Sequence, residues 1–481
     1  MIIVDDKIVL KRFAENGKLL NSEAKELIMS HNSPYEFANT VLSHISASTV
    51  FVTKADVEAV LVGDKQMFMT EKSATVNNKR QPDITIFKET DITGKSTTEG
   101  KVQDFAEYIK SRYVKLAHIL ECRADFGKAI DISRAKQLHD RDCKIIGIIY
   151  EVKTTKNGHI MLTIEDLSGT ANVLVLKDSR YAGMEFVNDE VIGFIGHFND
   201  QKTLFFPQKI VRPDVPKLNK WEPSDSSSKV MFMSDLHFGS NTFCKDGWRK
   251  AIDWLKKNYK AQGIDYLVLS GDVVDGVGVF PDQDKELEIV DIYNQYKALA
   301  EGLKEVPDDI LMVMHPGNHD AVRLAEPQPA WKKAFTEYID SNVTLVGNPI
   351  TFQIEDRIIT SYHGKGIDEL VSSVKSVTYD NPLSAVTYML KYRHLCPIYG
   401  GKVPLCPEKT DYLALEKVPN ILVTGHVHKS CGGIYNGVRM LQAGALQTQT
   451  SYQAQMNFIP DPCKFPTVSL NTGVMEFHNF L

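Results

Sequence analysis

Five short apolar runs in the second half of the chain each end in a cluster of metal-binding side chains, and this series restricts the fold most strongly. Apolar runs of this length, with helical segments such as 248–259 and 289–303 between them, are typical of buried strands in a layered α/β fold. Because the carboxyl ends of such strands meet at one edge, we expect the clusters to converge. The runs and their clusters are Val230–Met233 with DLH, Tyr266–Leu269 with GDVVDG, Ile310–Met314 with GNHD, Arg357–Tyr362 with HG, and Ile421–Thr424 with GHVH.

Seven side chains of these clusters form a mixed nitrogen and oxygen ligand set: Asp235, His237, Asp272, Asn318, His363, His426 and His428. Such a set suits two divalent ions, with manganese expected and iron or zinc as alternatives. One ion is expected to take Asp235, His237 and His428. The other is expected to take Asn318, His363 and His426, with Asp272 bridging the two ions. His319 is then free to act as a general acid on the leaving oxygen.

A single HxH or GNHD motif is more often an ordinary loop than a ligand set. Five motifs in order, each at the end of an apolar run, favour a metal site instead. Such a site predicts hydrolysis of a phosphate ester by activated water. The glycines beside the ligands are expected to allow sharp turns and a close approach of the backbone to the site.

The rest of the chain predicts a multidomain protein. Residues 1–65 show helical spacing of apolar residues, with helix starts at 33–36 and 53–56. Residues 66–100 are polar and predict a flexible linker, and its GKST segment lacks the earlier glycine of a phosphate-binding loop. Residues 101–215 predict one helix and then a five-stranded, oligonucleotide-binding-type (OB-type) barrel, and residues 216–481 predict the α/β sandwich. The expected barrel strands are Lys144–Val152, His159–Ile164, Ala171–Leu176, Val191–His197 and Thr203–Phe206.

Composition excludes several classes of protein. The chain has 481 residues and a formal net charge of −6, so it is not a globally basic nucleic-acid coat. Seven scattered cysteines without a CxxC pair favour free thiols in a reducing compartment. No apolar run approaches a membrane span, and the first residues lack the pattern of a signal peptide. These features predict a cytoplasmic protein without a membrane partner.

The five motifs resemble those of the calcineurin-like metallophosphoesterases. The wider order of helical domain, linker, barrel and phosphoesterase is similar to that of the small subunits of archaeal family D DNA polymerases. This resemblance implies a four-layer α/β sandwich, a di-metal 3′–5′ exonuclease that proofreads, and a docking scaffold for a separate polymerising large subunit. The implied partners are that subunit, single-stranded 3′ ends of DNA and a sliding clamp.

Two alternatives from other classes remain open. A stand-alone phosphatase or cyclic-nucleotide phosphodiesterase would use the same metals, and a non-catalytic polymerase scaffold would use none.

Several further residues have an ordinary structural interpretation. His315 is expected to be a hydrogen-bonded core histidine, and the barrel aromatics Phe194, Phe198, Phe205 and Phe206 are expected to pack in the barrel core rather than stack on bases. The long loop 393–409, with Cys396 and Cys406, predicts an interaction surface rather than a zinc site. Tyr452, Phe458 and Phe465 are expected either to face a partner or to close the core.

Overall fold

The structure, a computed structural model, describes residues 6–30, 34–45, 51–54, 56–58, 60, 83–138 and 141–481. The chain divides into two compact units, Met1–Gln81 and Pro82–Leu481. Among the described residues, no helix has the length and apolar character that a bilayer crossing requires.

The N-terminal unit combines helices with a short pair of parallel strands. Its elements are α1 (Asp6–Glu15), β1 (Leu19–Leu20), α2 (Ser22–Met29), α3 (Pro34–His44) and β2 (Phe51–Val52). Asn21 caps α2, because its side chain accepts a hydrogen bond from the Ala24 amide at 2.8 Å. The predicted helix starts are only partly visible: Ser33 lies outside the described residues, whereas the Asp56 carboxylate accepts hydrogen bonds from the Thr53 amide and hydroxyl. The strand pair was not expected from the sequence.

A closed five-stranded barrel follows a long helix in the second unit, as the sequence predicts. The helices are α4 (Val102–Cys122) and α5 (Ile132–Ala135), and the strands are β4 (Cys143–Thr154), β5 (Ile160–Glu165), β6 (Thr170–Val175), β7 (Val191–Phe198) and β8 (Phe205–Val211). The strand order around the barrel is β4-β5-β6-β8-β7. The first four strands lie within two residues of the predicted ones.

The barrel aromatics pack as predicted. Phe194, Phe198 and Phe205 are buried in the barrel core, and the Phe194 and Phe198 rings make edge contacts with Phe205. Phe206 is half-buried and stacks on His197. Core packing therefore accounts for three of the four rings.

The remainder of the second unit is a sandwich of two six-stranded sheets. The strands of the first sheet are β9 (Lys229–Met233), β10 (Ile264–Ser270), β11 (Leu311–His315), β12 (Val343–Leu345), β18 (Lys464–Ser469) and β19 (Met475–Asn479). Those of the second are β3 (Ile84–Ile86), β13 (Ile350–Ile354), β14 (Arg357–Tyr362), β15 (Ile421–Thr424), β16 (Ser430–Tyr435) and β17 (Val438–Ala443). The first sheet has the order β12-β11-β10-β9-β18-β19, and the second has the order β16-β17-β15-β14-β13-β3.

Helices cover the outer faces of both sheets, which gives four layers. They are α6 (Lys245–Gln262), α7 (Ile292–Leu303), α8 (Lys333–Thr336), α9 (Gly366–Ser373), α10 (Pro382–Tyr392) and α11 (Ser451–Gln455). Alternation along β9 explains the layering: Val230 and Phe232 pack between the sheets, whereas Met231 and Met233 pack against the side chains of α6 and α7. The prediction of an α/β sandwich is confirmed.

The linker prediction is wrong for residues 83–100. Strand β3 pairs antiparallel with β13, with Ile86 opposite Phe352. Further along, the Ser96 hydroxyl and the Thr97 amide donate hydrogen bonds to Glu408. The polar composition concealed these residues because only three of them form the strand, and its partner lies far away in the sequence. Residues 66–82 lie outside the described residues.

The loop 393–409 contacts the chain itself, which corrects its interpretation as an interaction surface. Arg112 of α4 is fully buried, and its side chain donates to Asp411 at 2.8 Å and to the carbonyl of Pro397. The Tyr399 amide donates to the Asp189 carboxylate, beside the start of β7. Cys396 is buried and Cys406 is half-buried, and both thiols are free. The loop therefore joins the sandwich to α4 and the barrel.

We expect Arg112→Ala to destabilise the second unit by about 3–5 kcal/mol, because it leaves the buried Asp411 carboxylate without its guanidinium partner. Lys110→Ala, at an exposed position of the same helix, is the control and should change stability by less than about 0.5 kcal/mol. Urea unfolding of both variants measures the difference. Equal midpoints for the two variants would contradict a role for Arg112 in joining the domains.

Candidate metal centre

The seven predicted ligands lie at the carboxyl ends of five strands from both sheets. Asp235 and His237 follow β9, Asp272 follows β10, and Asn318 follows β11. In the second sheet, His363 follows β14, and His426 and His428 follow β15. Two groups of candidate ligand atoms result, one of Asp235, His237 and His428 and one of Asp272, His363 and His426, each spanning no more than 4.8 Å. Asn318 joins the second group through His363.

The first group encloses an unsatisfied buried carboxylate oxygen. Asp235 Oδ1 lies 3.4 Å from His428 Nε2 and 4.0 Å from His237 Nε2, and the two imidazole nitrogens lie 3.2 Å apart. Within the described residues, this oxygen has no hydrogen-bond partner. Burying a bare carboxylate oxygen is costly unless a cation or a donor compensates for it. A divalent ion among these three atoms would remove the penalty, so this group fits a metal.

The second group combines one carboxylate, one amide oxygen and imidazole nitrogens. His363 Nε2 lies 3.1 Å from both Asp272 Oδ2 and Asn318 Oδ1. Burial alone would lower the pKa of His363, but the Asp272 carboxylate raises that pKa to about 10. Burial likewise opposes ionisation of Asp272, yet His363 holds the Asp272 pKa well below its ordinary value. The site is therefore strongly charged, and its oxygen and nitrogen donors suit a divalent ion.

Hydrogen bonds on the far side of the rings orient the histidines. His237 Nδ1 lies 2.9 Å from Asp275 Oδ1, and His363 Nδ1 lies 3.1 Å from the carbonyl oxygen of Ser270. When Nδ1 donates to an oxygen, the Nε2 lone pair of the same ring is available for a metal. His426 uses the opposite nitrogen, because its Nε2 contacts Asp368 at 2.9 Å. Its Nδ1 remains available in turn.

Strained backbone conformations position most of these residues. The φ angle is positive at five of the seven: Asp235 (51°), His237 (51°), Asp272 (50°), His426 (70°) and His428 (50°). Non-glycine residues rarely adopt this region, and clusters of them are characteristic of functional sites. The adjacent glycines are required by space: a Cβ at Gly317 would lie 2.3 Å from Asp272 Oδ1, and a Cβ at Gly425 would lie 1.8 Å from Ser234 Oγ.

His319 lies at the edge of the site with one ring nitrogen bonded to the backbone. Its Nδ1 donates to the carbonyl oxygen of Asp275 at 2.8 Å, and its amide donates to Asp272 Oδ1 at 2.8 Å. The ring lies 4.8 Å from that of His237 and is half-buried. It does not support the loop through Asp320, whose carboxylate instead accepts from the Gly317 amide. The imidazole therefore has Nε2 available for another partner.

Comparison with known proteins identifies the family. Residues 230–432 match the family model that describes the B-type subunits of DNA polymerases alpha and epsilon. The DNA polymerase II small subunit of Halobacterium salinarum is 35% identical over 98% of both chains. The protein of the same name from Thermoplasma acidophilum is 33% identical over 99% of this chain and 94% of its own. This chain belongs to the family of DNA polymerase II small subunits.

Solved structures resemble parts of the chain at low similarity. An archaeal phosphodiesterase is 12% identical, with a TM-score of 0.27, and the match covers 52% of this chain and 98% of that one. Vps29 from Entamoeba histolytica, in a complex with zinc, is 14% identical, with a TM-score of 0.26, over 53% of this chain and 99% of that one. The assignment to the small-subunit family rests on the sequence relatives alone.

Sequence reasoning missed the residues that orient the histidines. Asp275 belongs to the GDVVDG motif, and its position three residues after Asp272 could have indicated it. Asp368 gave no such signal, because its contact with Lys365 resembles an ordinary helix-surface pair. Gln453, whose side chain lies 3.0 Å from His428 Nδ1, comes from the distant α11.

The structure also places the remaining candidates. His315 is buried and bonded to the Pro316 carbonyl and the Ser361 hydroxyl, so it is the core histidine that the sequence predicts. Phe465 is buried in the core of the first sheet, whereas Tyr452 is exposed beside the site. Phe458 is half-buried, with its ring near Tyr379.

Proposed function

We propose that this chain is a di-metal phosphodiesterase that removes nucleotides from single-stranded or mismatched 3′ ends of DNA and thereby proofreads for a polymerising subunit. The observation that carries the proposal is the buried, unpaired Asp235 Oδ1 between two imidazole nitrogens. A chain without a cation there would have no compensation for burying this charge. This argues against a purely structural role for the site.

Asp235, His237 and His428 would hold one ion, and Asn318, His363 and His426 the other, with Asp272 between them. Two divalent ions, when bound, supply activation of water for attack on phosphorus and neutralise charge on the phosphoryl oxygens. Asp275 and Asp368 keep the rings of His237 and His426 oriented. His319 would then donate a proton to the departing sugar oxygen through Nε2. Manganese is the expected metal, with iron and zinc as alternatives.

An end-labelled primer with a mismatched 3′ terminus tests the activity directly. With a 5′ label and Mn²⁺, iron or zinc, we expect a ladder that shortens from the 3′ end with time and is absent in EDTA. Hydrolysis of p-nitrophenyl phosphate without degradation of DNA would instead support the stand-alone phosphatase. Absence of hydrolysis with every metal would support the scaffold alternative.

The docking role is a second part of the proposal. The name of the relatives, a small subunit, implies a larger partner, and the closed barrel joined to the sandwich offers a composite surface. The barrel order, with β6 beside β8, supports the OB-type assignment. A protein of net charge −6 gains little DNA affinity from its own field and would depend on a basic partner.

We therefore expect co-expression with a large polymerase subunit from the same organism to yield a single complex. Size-exclusion chromatography at micromolar concentration measures this result, with the small subunit alone as the control. Separate elution of the two chains would overturn the docking role but leave the nuclease proposal intact.

A further inference from the structure

An aromatic side chain is exposed on a loop beside the metal centre. The loop 277–281 leads from the GDVVDG motif to a short 3₁₀ helix, Gln283–Glu286, and it exposes Val277 (46%) and Phe280 (36%). The Phe280 ring lies 6.3 Å from the ring of His319 at an interplanar angle of 64°. This phenylalanine is therefore a solvent-accessible apolar surface next to the proposed general acid.

Buried side chains hold both ends of this loop. Gln283, 1% exposed, donates to the carbonyl and the carboxylate of Asp275 and accepts from the Val279 amide at 2.8 Å. Gln295, which is fully buried, accepts from the Gly276 amide and donates to the Gly276 carbonyl. Because Asp275 also orients His237 and accepts from His319, Phe280 has a defined position relative to the catalytic groups.

The position of Phe280 indicates which part of a substrate it would meet. A 3′–5′ exonuclease that releases 5′-mononucleotides expels the 3′ oxygen of the penultimate nucleotide. The group that protonates this oxygen lies beside that nucleotide, so an aromatic ring next to His319 lies within reach of the penultimate base. Base–aromatic stacking is tolerant of sequence, because every base has a π face.

The charges around the loop favour a base over the phosphate backbone. The segment after Phe280 carries Asp282, Asp284, Glu286 and Glu288 against Lys285 alone. This acidic segment repels phosphates, including those of a complementary strand. An apolar ring in an acidic surrounding can attract a nucleobase but not a polyanion.

We propose that Phe280 is a specificity-determining residue that stacks on the unpaired penultimate base of the substrate strand and so selects single-stranded 3′ ends. This inference rests on the proposed nuclease function.

Phe280→Ala, in the full chain, is expected to raise the KM for a single-stranded oligonucleotide about tenfold and to leave kcat within about twofold. The kcat/KM for bis(p-nitrophenyl) phosphate, which has no base, should not change. Phe280→Trp should retain the wild-type KM. The control is Phe477→Ala, because Phe477 is also 36% exposed but lies on the edge strand β19.

An abasic penultimate nucleotide makes the test specific. Wild type should lose about tenfold in affinity for this oligonucleotide, whereas Phe280→Ala should bind the abasic and intact strands equally. The Kd from fluorescence anisotropy in EDTA gives a second readout that does not depend on hydrolysis.

An equal abasic penalty in wild type and Phe280→Ala would overturn the proposal, as would a similar rise in KM for Phe477→Ala. If wild type hydrolysed neither DNA nor the small diester, the proposed function itself would fail, whereas hydrolysis of both with no effect of Phe280 would overturn only this inference.

Discussion

Asp235→Ala and Asn318→Ala should each abolish phosphodiester hydrolysis while the chain remains folded. Each change removes a proposed ligand from one of the two ions, and activation of water requires both ions. Asp235→Asn is a sharper variant, because it preserves the shape of the side chain and removes its charge. The oxygen that is lost, Oδ1, has no hydrogen-bond partner among the described residues. Its replacement should therefore change the Tm of the metal-free chain by only about 3 °C or less.

Metal content by mass spectrometry, rates on DNA and on bis(p-nitrophenyl) phosphate, and thermal melting together test this expectation. Asp265→Asn is the matched control: Asp265 is exposed near the start of β10, the strand that leads to Asp272. It should retain two metals and the full rate. A ligand variant that bound two ions and hydrolysed DNA near the wild-type rate would show that the ligand assignment is wrong.

The strands that carry the ligands were predictable because their sequence signals are local. β14 and β15 have the predicted bounds, Arg357–Tyr362 and Ile421–Thr424, since a buried strand is an uninterrupted apolar run that ends at its polar cluster. The convergence of the ligands then follows from the parallel pairing of β14 with β15 and of β9 with β10.

Features that depend on distant partners were not predictable. The three residues of β3 form a strand only because the edge of β13 is available, and β13 lies more than 250 residues later. The roles of Asp368 and Gln453 likewise depend on where α9 and α11 pack, for which the sequence carries no periodic signal. Loop 393–409 is long enough to suggest a binding surface, but its length is needed to reach α4 and the barrel.

His319→Ala should slow hydrolysis about 10²–10⁴-fold without emptying the metal site. The ring bonds to the Asp275 carbonyl through Nδ1, which leaves Nε2 to carry a proton toward the leaving oxygen. A diester with an activated leaving group needs little protonation, so the defect should be large on a normal DNA phosphodiester and small on the activated one. Measuring both rates together with metal content distinguishes an acid from a ligand.

The competing explanation is that His319 binds a metal, because His237, Asp275 and His319 also offer atoms within 4.8 Å of one another. In that case His319→Ala would lose metal and slow both substrates equally. Asp320→Asn is the control for loop structure, since the Asp320 carboxylate accepts from the Gly317 amide and the Tyr296 hydroxyl. Loosening the loop should slow both substrates alike, so a defect confined to the unactivated diester can arise only from loss of the proton donor.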